Sequence, residues 1–410
     1  SNLEAKMDVR DLKFVGVQVT LSAYDAGRYI LSQILDLVHW QTLSRLVSKY
    51  EPNTAARHFG FRQQFICMVF AQLTSRDGLR DIATCLNARP ETLYHLGFTG
   101  KVARSTLADA NESRDWRIWE DLAKSLIRKA RPLYVGEDLG VDLDNTIYAL
   151  DSTTIDLSLT LFNWADFRQT KAGIKMHTQI DLRGPIPTCI CITGARQHDV
   201  GWLDELFFEA GAFYLMDRGY MDFARLALIA NAGAFFVTRA KANLRFTRHY
   251  SNQVNRLTGL RSDHIGKPTI QKSRDDFPML LRRVKYLDLE TGKPFVFLTN
   301  HLEIPALTVA MLYKLRWRIE LFFRWIKGHL RIKHYYGTSP NAVKTQIWIA
   351  VCTYLMIAIL HKRLKLPGTL HRTLQVLSVH PFEKVTLNQL LMETDHRSFT
   401  NSDPNQLNLW

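Results

Sequence analysis

The segment Ala212-Phe213-Tyr214-Leu215-Met216-Asp217-Arg218-Gly219-Tyr220 is an apolar run that ends on an acid, followed by a glycine that permits a sharp backbone exit. It predicts a buried strand that stops at Asp217. A second run, Tyr148-Ala149-Leu150, stops at Asp151 and continues as Ser152-Thr153-Thr154. Carboxylates at strand ends are poorly placed for burial in a core and well placed to hold hard cations. Two divalent ions clamped by such groups would activate an in-line attack on a phosphodiester. Taken singly, each Asp reads equally well as a cap in an ordinary turn.

Around these runs, residues 146–239 follow the pattern strand, strand, strand, helix, strand, helix, strand. Ile174 to Leu182 alternates, with Ile174, Met176, Thr178 and Ile180 against Lys175, His177, Gln179 and Asp181. Ile186 to Thr193 is a further strand and Trp202 to Phe208 a helix. Tyr220 to Ala232 is a helix closed by Gly233, and Ala234 to Thr238 a buried strand. Ahead of this region, residues 1–140 read as helical. Ser105 is placed to cap one helix, and Trp116 to Leu133 carries Arg117, Lys124, Arg128, Lys129 and Arg131. Such a set suits a helix-turn-helix-like DNA-binding module, or a helical scaffold that touches DNA incidentally. Residues 241–305 carry short β-prone runs, Arg282 to Leu287 and Phe295 to Thr299, and read as a β-rich insertion. Pro305 opens a long helical region. The expected organisation is a helical N-terminal DNA-binding domain over 1–140, a first core part over 141–240 and the insertion over 241–305. A second core part over 306–365 and a helical tail over 366–410 complete it.

The helical pattern from Tyr313 to Lys327 carries a third carboxylate. At about 100° per residue, Tyr313, Arg316, Glu320 and Lys327 fall on one side. Leu315, Ile319, Phe322 and Ile326 form a separate apolar stripe, the expected core face. The polar stripe reads as a solvated face with an Arg316–Glu320 pair, or as a cleft in which Glu320 serves a cation while Arg316 and Lys327 serve phosphates.

The 410 residues suffice for more than one domain, and the net charge of +14 points to a polyanionic partner, nucleic acid ahead of a membrane surface. Five cysteines without metal-ligand spacing read as free thiols of a cytoplasmic protein. No signal peptide is visible, and the apolar stretch Ile347 to Leu360 reads as a core helix, too short to span a bilayer comfortably.

The strand order and the two aspartates match an RNase H-like sheet, so the expected fold is α/β, an RNase H-like catalytic core with a β-rich insertion and an α-helical N-terminal domain. The motifs Leu150-Asp151-Ser152-Thr153, Met216-Asp217-Arg218-Gly219-Tyr220 and Phe236-Val237-Thr238-Arg239, with the stripe Tyr313, Arg316, Glu320 and Lys327, resemble the IS4-type insertion-sequence transposases of the DDE group, whose stripe is termed YREK. The resemblance implies that Asp151, Asp217 and Glu320 are catalytic and hold two Mg²⁺ or Mn²⁺ ions. It implies that Tyr313, Arg316, Lys327 and Arg239 contact DNA. It implies cleavage at terminal inverted repeats and transfer of the 3′-hydroxyl into target DNA by a homodimer at the bacterial nucleoid. The alternatives are a structure-specific nuclease on the same fold and a DNA-binding derivative without chemistry. Some relatives hold a flipped base on a Trp of the insertion; here no Trp lies between Trp202 and Trp317, and Phe295 and Phe297, the candidate substitutes, read as strand core.

Overall fold

The computed structural model describes residues 27–53, 58–158, 160–168 and 171–396. Expectations for 1–26 and 397–410 lie outside the described residues. The chain forms two compact units, 1–126 with 329–410, and 127–328.

The unit 127–328 is built on one sheet. Its strands are β1 (Ile147–Leu157), β2 (Asp166–Arg168), β3 (Lys171–Asp181), β4 (Ile186–Gly194), β5 (Phe213–Met216), β6 (Phe235–Arg239), β7 (Phe246–Asn252), β8 (Leu260–Pro268), β9 (Leu281–Leu287) and β10 (Pro294–Thr299). The order is β2-β3-β1-β5-β6-β10-β9-β8-β7, with β4 paired to β3. Only β1–β5 and β5–β6 are parallel. All four residues of β5 are fully buried, as a central parallel strand covered on both faces requires. The helix Phe223–Asn231 starts at Asp222, whose carboxylate accepts from the Arg225 N–H, and ends before Gly233 at φ +71°, a conformation that favours glycine.

The expected bounds of two elements need correction. β1 does not stop at Leu150: its parallel ladder with β5 ends there, but its other edge stays paired with β3 as far as Leu157. The segment expected as a helix at 202–208 is a 3₁₀ segment, Asp199–Glu205, which contains Gly201 and is too short to repay helix nucleation. The stretch 241–305 carries β7 to β10, and its strands extend the same sheet: β10 pairs antiparallel with β6 and carries β9, β8 and β7 outward.

The other unit is helical. Helix Pro340–Arg363 is its axis, with Phe61–Leu73, Arg104–Ser113 and Leu370–Val379 packed against it. At 24 residues it is longer than expected, and long and apolar enough to cross a membrane by composition alone. From Ala342 to Leu360 all but Lys344 is buried, the pattern of a helix sunk in protein. Ser105 is not a cap. The helix starts at Arg104 after Ala103, and the side chain of Asn87 fixes its entry by bonding both backbone groups of Val102. The cysteines are free; Cys67 and Cys352 are buried, while Cys85, Cys189 and Cys191 are half-buried.

One ion pair ties the extended sheet to the chain that enters the helix Ala306–Leu315. Arg282 and Asp263 are both buried, and the guanidinium donates Nε to Oδ1 and Nη2 to Oδ2, each at 2.8 Å. Its Nη1 donates to the carbonyls of Leu302 and Ile304. Burial alone would raise the Asp263 pKa, but hydrogen bonds from Arg282 and Asn252 outweigh it and hold the carboxyl below its ordinary value. Removing the carboxylate strands a buried guanidinium, so Asp263→Ala should cost about 3–5 kcal/mol in urea unfolding. A lowered native pKa gives stability that is complete above the ordinary value of 3.8 and is lost as pH falls through the native value. Asp263→Asn should therefore flatten the acid limb of the stability–pH curve.

Candidate active site

The parallel ladder of β1 and β5 closes on the pair Leu150↔Met216, and the next residue on each strand is an aspartate. Asp151 stays in β1, opposite Thr178 of β3, while Asp217 leaves β5 into the 3₁₀ turn Arg218–Tyr220. The Asp217 carbonyl accepts from Thr238 Oγ1 on β6 at 3.2 Å, which anchors that exit. The two carboxylates thus lie at one level on adjacent strands, set by register.

The third comes from the helical region, which is not one continuous helix. Ala306–Leu315 and Trp317–His329 meet at Arg316, where the bonds Arg316 N–H to Tyr313 O and Ile319 N–H to Arg316 O tighten the winding. The polar stripe survives this joint. Tyr313 OH donates to Asp217 Oδ1 at 3.2 Å. Arg316 donates Nη1 to Asp151 Oδ2 at 2.8 Å and Nη2 to Glu320 Oε1 at 2.5 Å. Its side chain is only 13% exposed, and its Nε is buried with no hydrogen-bond partner among the described residues. Lys327 Nζ donates to the Thr154 carbonyl of β1 at 2.6 Å. Ile319, Phe322 and Ile326 are buried as expected, with Leu315 half-buried.

The structure therefore brings Asp151, Asp217, Tyr313, Arg316 and Glu320 together through direct contacts, with Lys327 bonded to the strand that carries Asp151. Arg239, the last residue of β6, lies with its guanidinium 5.1 Å from the Phe295 ring centre, and its charge acts on Tyr313. Phe297 is core, packed between Phe295 and Tyr313, while Phe295 is half-buried.

The electrostatics follow from this packing. Burial pushes the Asp151 carboxyl above its ordinary value; Arg316 and the Ser152 N–H pull it down, and the charges of Glu320 and Asp217 push it up again. Burial works against the Arg316 charge, but Tyr313, Asp151 and Glu320 outweigh it. Burial also pushes the Tyr313 hydroxyl up to about 12, so it stays a donor to Asp217 at neutral pH.

Among the described residues no set of three His, Cys, Asp or Glu is arranged as a metal-ligand cluster. Arg316 sits between Asp151 and Glu320, and Tyr313 engages Asp217. The donor chemistry still suits a hard divalent cation. All the acidic donors are carboxylate oxygens, and three carboxylates grouped with one guanidinium, which contacts two of them, leave negative charge in excess.

A second polar group adjoins Asp151 and was not anticipated from the sequence. Ser152 Oγ donates to Asp199 Oδ1 at 2.5 Å, and Lys175 Nζ lies 3.1 Å from the same oxygen. His177 is fully buried, with Nε2 3.0 Å from Thr193 Oγ1 and Nδ1 3.7 Å from Asp199. Burial lowers its pKa to about 4, so the ring is neutral at neutral pH. The register Ser152↔His177 and Thr154↔Lys175 explains the grouping. The polar half of the β3 alternation was a signal for Lys175 and His177; Asp199, in a short irregular stretch, had none.

Most of the chain is similar to known proteins. The model of the transposase DDE domain family matches residues 142–356, and that of a domain of unknown function matches 26–99. A Sinorhizobium fredii protein, y4zB, provisionally named a transposase, is 36% identical over 262 residues, 62% of this chain and 70% of its own length. A Geobacillus stearothermophilus protein, provisionally named the transposase of insertion sequence element IS5377, is 29% identical over 53% of this chain and 57% of its own. The solved piggyBac transposase synaptic complex with hairpin DNA aligns at TM-score 0.42 and 11% identity, over 90% of this chain and 80% of that one, and carries no weight at that similarity. With the family model covering more than half of its length, the chain belongs to the transposases that carry a DDE domain.

Proposed function

We propose that Asp151, Asp217 and Glu320 are the catalytic carboxylates of this transposase. In this reading the chain cleaves DNA at transposon terminal inverted repeats and joins the freed 3′-hydroxyl to target DNA. The DDE domain carries a dependence on divalent metal, and the finer assignment here is two Mg²⁺ or Mn²⁺ ions on the three carboxylates. When bound, such ions supply Lewis-acid activation of the attacking oxygen and stabilisation of the leaving one. The observation that carries the reading is the guanidinium of Arg316, which already joins Asp151 to Glu320 across two separate elements.

The remaining roles belong to the chain's own groups. Tyr313, held beside Asp217, and Arg316, Lys327 and Arg239 offer donors to the phosphates of the bound end. Arg316 has a double part, because its planar fork suits a phosphate as well as a carboxylate. It offsets part of the charge of Asp151 and Glu320, and would be free to turn to phosphate if those carboxylates held cations. Lys175, His177 and Asp199 brace Ser152 and so the strand position of Asp151. The helical N-terminal region is assigned to end binding, and the active complex to a homodimer that cuts two ends together at the nucleoid.

Glu320→Gln should reduce metal-dependent cleavage of end DNA by at least about a thousandfold, roughly 4 kcal/mol of barrier, while end binding persists. Cleavage at the parental rate would refute the assignment. Pre-cleaved 3′-hydroxyl ends supplied with a target plasmid should give joined product; a nuclease without strand transfer would give none.

The exchange of Arg316 for metal has its own readout. Without the guanidinium, Arg316→Ala should bind Mn²⁺ about tenfold more tightly in the absence of DNA, as followed by electron paramagnetic resonance, a change of about 1.4 kcal/mol. Weaker Mn²⁺ binding would show that the guanidinium and the metal do not compete.

A further inference from the structure

Residues 241–274 contain eight Lys or Arg and one acid, Asp263. That acid is spent inside the fold on Arg282, the buried pair described above. Asp275 and Asp276 follow directly, but neither makes an ion pair with this stretch among the described residues. Arg245, Arg248, Arg256, Arg261, Lys267 and Lys272 make no ion pair among the described residues. Three basic residues of the helix Arg117–Tyr134 contrast with this. Arg117 pairs with Asp115, Lys124 with Glu120 and Asp121, and Arg131 with Asp181.

Strand alternation sorts the extended sheet into two faces. Arg282 and Val284 of β9 and Asp263 of β8 share the buried face, the one Phe297 and the helix Ala306–Leu315 occupy. Arg283 and Lys285 point the other way, and pairing places His264 opposite Arg283. On β7 an irregularity between Arg248 and Tyr250 resets the alternation, so that Arg248 comes opposite Gly266, on the face of His264. Only glycine fits there: a Cβ on Gly266 would lie 2.0 Å from the Thr247 carbonyl oxygen.

These basic groups are close enough to repel. Arg283 Nη2 lies 3.1 Å from His264 Nδ1, which must accept, leaving the imidazole proton on Nε2 as an outward donor. The Arg283 guanidinium stacks 4.7 Å from the Phe246 ring centre, and its Nε is buried without a hydrogen-bond partner. Burial, then the charges of Arg283, Arg248 and Lys285, lower the His264 pKa, against a smaller opposing effect of Asp263. Burial and Arg248 likewise lower that of Arg283. Like charges held together at a cost, with no ion pair to Arg248, Arg283 or Lys285 among the described residues, are the arrangement an anionic backbone would relieve.

We propose that this face of the sheet, presenting Arg248, His264, Arg283 and Lys285, is a duplex-DNA grip that holds phosphates away from the carboxylate centre. It rests on the reading of DNA as substrate and is independent of which residues cut. Each phosphate contact contributes about one unit to the slope of log affinity against log salt. Fluorescence anisotropy of the full chain with a labelled linear duplex, in EDTA so that no chemistry enters, measures that slope. Arg248→Gln with Lys285→Gln should lower it by about two and weaken binding about tenfold or more at low salt, with the thermal melt unchanged. A slope and affinity equal to the parent's, in a folded variant, would overturn the proposal.

A readout without substitution covers a variant that does not fold. Duplex DNA should shield Lys285 of the parental protein from amine acylation, and equal acylation with and without DNA would overturn the grip. Cleavage by the same protein with Mn²⁺ is scored separately, so loss of the grip and failure of the carboxylate assignment are distinct results.

Discussion

The guanidinium of Arg316 is the interaction on which the site depends. Register places Asp151 and Asp217 side by side where the β1–β5 ladder ends, and helix Trp317–His329 brings Glu320 to them. Carboxylates so placed repel one another, and burial already makes ionisation of Asp151 costly. A fixed cation between Asp151 and Glu320 makes the assembly tolerable. Removing one partner would cost more than at an exposed i,i+4 pair, because the guanidinium is largely out of solvent and would be left with uncompensated charge. The tightened joint at Arg316 follows the same demand, since the residue must serve a strand and its own helix together.

Much of this was legible in the sequence because it is local. An apolar run that stops on Asp and turns on Gly identifies β5 and Asp217 without any partner strand. The spacing of Tyr313, Arg316, Glu320 and Lys327 survives the break in the helix, because one tightened turn rotates the stripe only slightly. The extension of β1 past Asp151 was not legible, because it is enforced by β3, a partner that polarity alone does not reveal. Asp199 escaped for a related reason: its partners Ser152 and Lys175 lie on other elements, and no period runs through its own segment.

Charge was the least legible property. A net +14 says that an anion is near but not where, and the run of Arg and Lys in the helix Arg117–Tyr134 drew the DNA reading towards the N-terminal region. In the structure Arg117, Lys124 and Arg131 of that helix are matched by acids, two of them on its own face or just before it. A run of eight basic residues, six of them making no ion pair among the described residues, lies in residues 241–274, whose composition reads as loop and short strand. Ion pairing, not charge count, separates a solvated face from a binding one, and pairing is a tertiary property.

The sheet makes that distinction useful. Because β10 pairs with β6, and β6 with β5, the strands bearing Arg248, His264, Arg283 and Lys285 belong to the same hydrogen-bonded ladder as Asp151 and Asp217. The Arg282–Asp263 pair locks β8 to β9 and both to the chain entering the helix that carries Tyr313. A duplex gripped on the basic face would then be held at a fixed offset from the carboxylates, without a hinge between grip and centre. Positional accuracy at the scissile phosphate would come from backbone hydrogen bonds and one buried ion pair.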